Sequence, residues 1–120
     1  MTQWIADYYG VVDQMDLEKL AAVTNPDVAV SFGNAPRTEG FDALAAGLTP
    51  LWGSLDDMKH NVVRLYEIPD ADYGAIEAQI DYTRKDGKVV RIPCTSTLHR
   101  DTEGRVDELN VYIDLAPLFS

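Results

Sequence analysis

The second half of the chain contains four consecutive segments with the alternating pattern of β-strands. They read HNVVRLYEI, YGAIEAQIDYTR, KVVRIPCTSTLHR and RVDELNVYID, and they are joined by PDAD, KDG and DTEG. KDG and DTEG favour tight hairpin connections, because Asp and Gly tolerate the positive φ angles that such turns need. Strands joined by tight turns pair in antiparallel fashion, so these segments predict one antiparallel sheet.

The first 32 residues predict two helices and a short strand. Apolar residues recur at helical spacing from Trp4 to Met15, which indicates an amphipathic first helix. Asp16 can cap a second short helix, LEKLAAV, which ends at the NPD of residues 25–27. VAVSF, residues 28–32, has the composition of a strand, and the following GNAPRTEG that of a loop.

A third helix is predicted from Phe41 to about Leu55, with a kink or a break at Pro50. The predicted order is therefore two helices, a strand, a helix and then four strands. Helices segregated from a run of antiparallel strands are typical of an α+β fold with the helices on one face of a curved sheet.

Length and charge limit what the chain can be. Its 120 residues fit a single domain, residues 1–120. Twenty Asp and Glu residues against ten Lys and Arg give a formal net charge of -10, which repels nucleic-acid phosphates and anionic lipids. We therefore expect neither nucleic acid nor a membrane as a partner. The N-terminal MTQWIADYYG lacks the basic flank and apolar segment of a signal peptide, so we expect a cytoplasmic protein.

Metal and cofactor binding have little support in the sequence. The chain has two histidines, His60 and His99, and the single Cys94 lies in a strand-like segment where a buried, unreactive thiol is expected. Phosphate-binding loops need a glycine-rich turn before a helix, and the chain has none. We expect neither a metal nor a cofactor.

The order of elements and several short motifs resemble the nuclear transport factor 2-like superfamily, specifically its SnoaL-like members. The motifs are ADYYGVVDQMD, NPDVAVSFG leading to EGFDAL, MKH, and a closing segment that contains Glu108, Asn110, Tyr112, Asp114, Pro117 and Leu118. The resemblance covers nearly the whole chain. It implies a cone in which three N-terminal helices pack on a curved, mostly antiparallel sheet and enclose a pocket. Members of the superfamily include ketosteroid isomerases, polyketide cyclases, dehydratases, epoxide hydrolases and non-catalytic proteins.

The resemblance also implies catalytic residues. In SnoaL-like cyclases an Asp at the end of the last strand acts as the acid/base, and Asp114 has the matching position in the closing motif. In dehydratases of the superfamily a His at the location of His60 pairs with a carboxylate, and a Tyr and an Asp of the first helix complete the site. The matching residues of this chain are Tyr8 or Tyr9 and Asp13.

The carboxylate that pairs with His60 is left open by the sequence. Either Glu77 or Asp81 in the next strand could reach it, and only the strand register decides between them. In a regular strand, the face of His60 also carries Val62, Arg64, Tyr66 and Ile68. Tyr9, Trp52, Glu77, Asn110, Tyr112 and His99 are the candidate substrate-binding residues.

The last strand separates polar from apolar side chains, because residues two apart share a face. One face carries Glu108, Asn110, Tyr112 and Asp114, and the other carries Leu109, Val111 and Ile113. The polar face lines a cavity or meets solvent, and the apolar face needs a cover, either from the helices or from a second copy of the chain. A partly desolvated Asp114 would suit proton abstraction next to a carbonyl, whereas an Asp114 that caps the terminal turn would be structural.

Three functional hypotheses follow from the sequence. The first is a cofactor-independent cyclase, isomerase or dehydratase acting on a small apolar cyclic ketone or alcohol, with Asp114 or His60 as base and a Tyr of the first helix or Asn110 as oxyanion donor. The second is a non-catalytic, dimeric binding or interaction module. The third is epoxide hydrolysis by an Asp-Arg-Asp set that would draw on Arg91, Arg100 and Asp114. In either of the first two cases we expect a homodimer formed through the outer sheet face.

Overall fold

The computed structural model describes residues 3–120. In chain order its elements are α1 (Gln3–Val12), α2 (Leu17–Ala22), β1 (Thr24–Phe32), β2 (Thr38–Glu39), α3 (Phe41–Gly53), β3 (Leu55–Ile68), β4 (Tyr73–Arg84), β5 (Val89–Arg100), β6 (Val106–Ile113) and a terminal 3-10 helix (Ala116–Phe119). Within this part of the chain, no helix has the length and apolarity needed to cross a membrane.

The six strands form one sheet in the order β2-β1-β6-β5-β4-β3. β3 to β6 pair as consecutive antiparallel hairpins, β1 pairs with β6 in parallel, and β2 pairs antiparallel with β1 at the edge. The three helices pack against one face of this curved sheet. The α+β fold predicted from the order of elements, with three N-terminal helices on a mostly antiparallel sheet, is confirmed.

The core lies between the helices and alternate residues of the long strands. The sheet contributes Ile76, Ile80, Tyr82, Ile92, Leu98, Leu109 and Val111, and the helices contribute Ile5, Tyr8, Tyr9, Leu20, Leu44 and Trp52. The apolar face of β6 therefore turns inward, and the helices are its cover. The opposite face of β4, β5 and β6 is the outer face of the sheet.

Several boundaries differ from the sequence-based expectation. β1 begins at Thr24, before Pro26, and β3 begins at Leu55, so His60 lies inside that strand instead of opening it. α3 continues through Pro50 to Gly53, although a kink or break was expected there. Pro50 and Ala46 are both exposed, so water can satisfy the Ala46 carbonyl that loses its helical partner.

The expected cap of α2 is confirmed: Asp16 accepts the backbone N–H groups of Glu18 and Lys19 at 3.0 and 3.2 Å.

A β-bulge between Val62 and Arg64 changes which residues of β3 face inward. His60 pairs with Ile80 and faces the core, but after the bulge Leu65 takes the inward position opposite Ile76. The expected shared face of His60, Arg64, Tyr66 and Ile68 is therefore wrong, because the extra residue reverses the alternation of side chains.

Candidate functional site

A cavity of about 50 Å³ lies between the inner face of the sheet and helices α1 and α3. Most of its wall is apolar. The polar or ionisable side chains that line it are Tyr8, Tyr9, Trp52, His60, Tyr82, Cys94 and Ser96. A volume of this size holds water or the end of a ligand, whereas an apolar cavity of roughly 150 Å³ is needed for a benzene ring.

His60 is held in this wall by Asp13, in the turn that follows α1. The ring Nδ1 lies 2.6 Å from Oδ1 of Asp13, and the backbone N–H of His60 donates to Oδ2 at 2.8 Å. The His60 side chain is 6% exposed and that of Asp13 is 19% exposed. Because the carboxylate only accepts, Nδ1 carries a hydrogen, and Nε2 is left to accept a proton. Within residues 3–120 the structure describes no hydrogen bond to Nε2.

Asp13 is therefore the carboxylate that pairs with His60, whereas the sequence had left Glu77 and Asp81 as the candidates. The register of β3 and β4 pairs His60 with Ile80, so Glu77 and Asp81 project from the opposite face of the sheet. Their partners lie there: Glu77 accepts from the Tyr66 hydroxyl, and Asp81 binds Arg91 at 2.7 and 2.9 Å.

The two tyrosines of α1 differ in their hydroxyl partners. The Tyr8 hydroxyl lies 3.0 Å from Oγ1 of Thr24, and burial raises the Tyr8 pKa to about 12 in spite of this hydrogen bond. The Tyr9 ring packs on His60, with ring centroids 4.6 Å apart, and its buried hydroxyl has no hydrogen-bond partner within residues 3–120. Burial raises the pKa of Tyr9 above that of Tyr8, and Ser96 lowers it in part. The hydroxyls of Tyr9 and Ser96 are not in hydrogen-bonding geometry. Tyr9 is thus a neutral donor beside the His60 ring.

Trp52 is the second unpartnered donor of this cavity. Its side chain, on α3, is buried, and the indole N–H has no hydrogen-bond partner in the part of the chain that the structure describes. Ser96 and Cys94 lie on β5, with Oγ and Sγ 3.8 Å apart. Burial raises the pKa of the Cys94 thiol, which keeps it protonated and poorly nucleophilic.

A larger apolar groove of about 480 Å³ runs along α3 and adjoins the cavity. Its wall, which we call the α3 groove, consists of Val30, Phe32, Ala35, Pro36, Thr38, Ala43, Leu44, Gly47, Leu48, Pro50, Leu51, Ser54, Leu115 and Phe119. Phe32, Leu44, Leu48 and Leu51 line both spaces. These four side chains are the partition between the groove and the cavity.

Four of the sequence-predicted substrate-binding residues lie on the outer face of the sheet. Glu77 binds Tyr66, and His99 binds Asp107 through Nδ1 at 2.5 Å. Asn110 donates to Thr97 and Glu108 at 3.1 and 3.0 Å, and Tyr112 is 61% exposed. The sheet separates this group from His60, because the polar residues of β6 alternate with Leu109 and Val111 of the core.

Asp114, the catalytic candidate of the last strand, is exposed just after β6. Its Oδ1 accepts the backbone N–H of Ala116 at 3.0 Å at the start of the 3-10 helix. This is the capping arrangement that the sequence left open as the structural alternative, and Asp114 is not part of the cavity wall. Neither Arg91 nor Arg100 lines the cavity: Arg91 binds Asp81, and Arg100 binds Asp72.

The structure brings together residues that sequence reasoning had not connected. Ser96, Cys94 and Tyr82 join the cavity wall because alternate residues of β4 and β5 face inward. The alternating pattern of these strands was readable in the sequence, but which of their two faces turned inward was not. Within residues 3–120, no group of three or more His, Cys, Asp or Glu side chains could hold a metal ion.

Comparison with known proteins identifies the fold family. The SnoaL-like domain family matches residues 5–109. A putative SnoaL-like polyketide cyclase from Shewanella denitrificans superposes with a TM-score of 0.81 at 16% identity, covering 98% of this chain and 92% of the other. For an NTF2-like protein of unknown function from Exiguobacterium the TM-score is 0.76 at 16% identity, with coverages of 92% and 98%.

A third similar structure is the epoxide hydrolase/cyclase-like enzyme SalBIII of pyran ring formation in salinomycin. Its TM-score is 0.80 at 14% identity, over 96% of this chain and 91% of the other. No curated protein matches the sequence. At these identities the structures establish a shared fold, whereas the family match spans most of the chain. The chain therefore belongs to the family of SnoaL-like domains.

Proposed function

We propose that the protein is a cofactor-independent acid/base enzyme that acts on a small, apolar cyclic ketone or alcohol. The observation that carries this proposal is the His60 ring, bound to Asp13 through Nδ1 and packed on the ring of Tyr9, whose hydroxyl has no partner within residues 3–120, in the wall of an apolar cavity. A base, a group that orients it and a neutral donor are what proton abstraction next to a carbonyl requires.

In this mechanism Nε2 of His60 takes a proton from the carbon next to the substrate carbonyl. The C–H bond breaks, its electron pair moves onto the carbonyl oxygen as an enolate, and the Tyr9 hydroxyl donates a hydrogen bond to that oxygen. Asp13 stabilises the imidazolium that forms, because its carboxylate lies 2.6 Å from Nδ1. A positioned general base contributes about 10²- to 10⁴-fold to the rate.

The same enolate leads to each reaction of this class. Returning the proton from His60 to a different carbon gives an isomerase. Attack of the enolate carbon on a second carbonyl, with the proton delivered to the new alkoxide, gives a cyclase. Expulsion of a β-hydroxyl as water, with the proton from His60, gives a dehydratase. In this proposal the role of Asp114 is structural, because it is exposed and accepts the backbone N–H of Ala116.

The test measures α-proton exchange, because all three reactions begin with it. The protein is incubated in D₂O with enolisable cyclic ketones of one and two rings, and loss of the α-proton signal is followed by ¹H NMR. We expect the wild-type protein to exchange α-protons faster than the buffer does. In His60→Gln the rate should fall to near the buffer rate, whereas Asp114→Asn should keep the wild-type rate. Exchange that is equal with and without the protein, or unchanged in a folded His60→Gln variant, contradicts the proposal.

A second candidate function is a non-catalytic, dimeric binding module. It is favoured by one observation: the cavity beside His60 has only about 50 Å³, too little for a ring compound. If this function is correct, the protein causes no exchange of ketone α-protons above the buffer rate, and His60→Gln changes nothing in that measurement.

We also propose a homodimer formed through the outer face of the sheet. Three exposed tyrosines support it, since Tyr66, Tyr73 and Tyr112 are 43, 37 and 61% exposed on that face. Aromatic residues with a polar tip are enriched in protein interfaces. Sedimentation analysis should give a dimer that Tyr112→Glu dissociates, and a monomeric wild-type protein at high concentration would contradict the proposal.

A further inference from the structure

Two buried hydrogen-bond donors of the cavity have no acceptor in the part of the chain that the structure describes. The Tyr9 hydroxyl and the Trp52 indole N–H belong to side chains that are 5 and 7% exposed, and neither has a partner within residues 3–120. Buried polar groups are nearly always hydrogen-bonded, and a buried donor left unsatisfied costs about 1–3 kcal/mol. Both side chains line the same cavity of about 50 Å³. A ligand atom that accepts from both would remove this cost.

The cavity wall selects the charge of that ligand atom. It contains no Asp, Glu, Lys or Arg side chain, and His60, the side chain of the wall that can carry a positive charge, is already bound to the carboxylate of Asp13. A carboxylate or an ammonium group would lose its hydration without gaining an unpaired opposite charge, which is strongly unfavourable. A carbonyl oxygen is neutral and has two lone pairs, one for each donor. The two donors therefore fit a neutral carbonyl group.

The α3 groove supplies the space that the cavity lacks. Its volume of about 480 Å³ lies within the roughly 300–1,000 Å³ of small-molecule pockets, and it adjoins the cavity through Phe32, Leu44, Leu48 and Leu51. The only polar side chains in its wall are Thr38 and Ser54, and none is charged. A ligand whose apolar part lies in this groove can place one polar group between the four partition side chains and into the cavity.

We infer that the substrate is a neutral carbonyl compound whose oxygen accepts hydrogen bonds from Tyr9 and Trp52 and whose apolar body occupies the α3 groove. This inference rests on the proposed acid/base function and names its substrate class. Trp52 would then be a second oxyanion donor, on α3, opposite the sheet that carries His60.

The first experiment uses 2-adamantanone, a neutral ketone whose α-carbons are bridgeheads and resist enolisation. Binding is followed by ¹H–¹⁵N NMR, in which the two tryptophans, Trp4 and Trp52, have separate indole signals, and Trp52→Phe assigns them. We expect the ketone to shift the Trp52 indole proton downfield and to leave that of Trp4, which packs on Arg100, in place. Adamantane-1-carboxylate and 1-adamantanamine should bind at least about tenfold more weakly.

Variants test the two donors and the groove separately. Tyr9→Phe and Trp52→Phe should each weaken ketone binding by about tenfold, the loss of one buried hydrogen bond. Gly47 lies in the groove wall, and a Cβ there meets no atom within 4 Å, so Gly47→Phe places an aromatic side chain at the groove. It should weaken binding by about tenfold or more, while Ala46→Phe, which introduces the same side chain at an exposed position outside the groove wall, should not.

Three results overturn the inference: a bound ketone that leaves the Trp52 indole proton unmoved, a carboxylate that binds as tightly as the ketone, or no binding of either 2-adamantanone or the smaller cyclohexanone. The α-proton exchange test separates this inference from the proposed function. A Trp52 shift without exchange of enolisable ketones would reject the acid/base function and keep the ligand class. Exchange of enolisable ketones without a Trp52 shift would keep the acid/base function and reject the ligand class.

Discussion

Asp13 binds His60 through both carboxylate oxygens, Oδ1 to the ring Nδ1 at 2.6 Å and Oδ2 to the backbone N–H at 2.8 Å. The pair joins the turn after α1 to the inner face of β3 across 47 residues of sequence. Because one carboxylate holds both the ring and the backbone of the same residue, the position and the tautomer of His60 are set together. Asp13 is thus a positioning residue for the proposed base.

Replacing Asp13 by Asn should remove this control. We expect Asp13→Asn to lower α-proton exchange by an amount within the roughly 10²- to 10⁴-fold that general-base catalysis contributes, because the amide can place a hydrogen opposite Nδ1 and favour the other tautomer. The ¹⁵N shifts of the His60 ring report the tautomer directly. Asp107→Asn removes the corresponding partner of His99 on the outer face and should alter the ring signals of His99 alone. An unchanged exchange rate together with a changed tautomer would reject the positioning role.

Gly74 should tolerate no side chain. A Cβ there would lie 2.6 Å from the Tyr66 carbonyl oxygen and even closer to Cδ1 of the fully buried Ile5. We expect Gly74→Ala to lower the free energy of unfolding by about 1–3 kcal/mol, since the strand backbone must shift. Urea unfolding measures the change.

The matched control for this prediction is Gly10→Ala in α1, where a Cβ meets no atom within 4 Å. That change should be neutral or stabilise the protein by up to about 1 kcal/mol, because Ala is the better helix former. Equal effects of the two substitutions would contradict the steric explanation.

Stability should fall at alkaline pH because of the buried tyrosines. Burial raises the pKa of Tyr8 from 10.0 to about 12, and it raises those of Tyr9 and Tyr82 as well. Above pH 10 the unfolded chain ionises these groups while the folded protein keeps them protonated, so unfolding becomes more favourable as the pH rises. Tyr8 alone should contribute a loss of about 2–3 kcal/mol between pH 10 and 12.

The measurement is urea unfolding between pH 9 and 11.5, with tyrosinate absorbance recorded in parallel. The free energy of unfolding of the wild-type protein minus that of Tyr8→Phe should decrease over this range. The decrease should amount to most of the roughly 2–3 kcal/mol that is assigned to Tyr8. An advantage that stays constant with pH would contradict the assignment of the shift to Tyr8.

The Cys94 thiol should be unreactive in the folded protein. It is 6% exposed, and burial raises its pKa, so both access and the thiolate fraction are low. We expect Ellman's reagent at pH 8 to modify it roughly two orders of magnitude more slowly than in urea, because reaction waits for local opening. A native rate close to the unfolded rate would show that the cavity opens readily to solvent.

The sequence by itself determined the family and the order of the elements except for β2 (Thr38–Glu39), which lies in the segment that was expected to be a loop. Turn chemistry at KDG and DTEG, the alternation of β4, β5 and β6 and the Asp16 cap are local signals, and local signals are readable without knowing what packs against them. The resemblance that named His60, Asp13 and the α1 tyrosines also depends on motifs of contiguous residues.

Only the tertiary structure decided which of these residues meet. Strand register put Ile80 opposite His60 and turned Glu77 and Asp81 outward, and one extra residue after Val62 reversed the rest of β3. The faces of β6 were separable in the sequence, but the helices determined that the apolar one turned inward and left Asp114 in solvent. The physical reason is that a strand has two equivalent faces until packing removes one from water, and that choice is made by residues far away in the sequence.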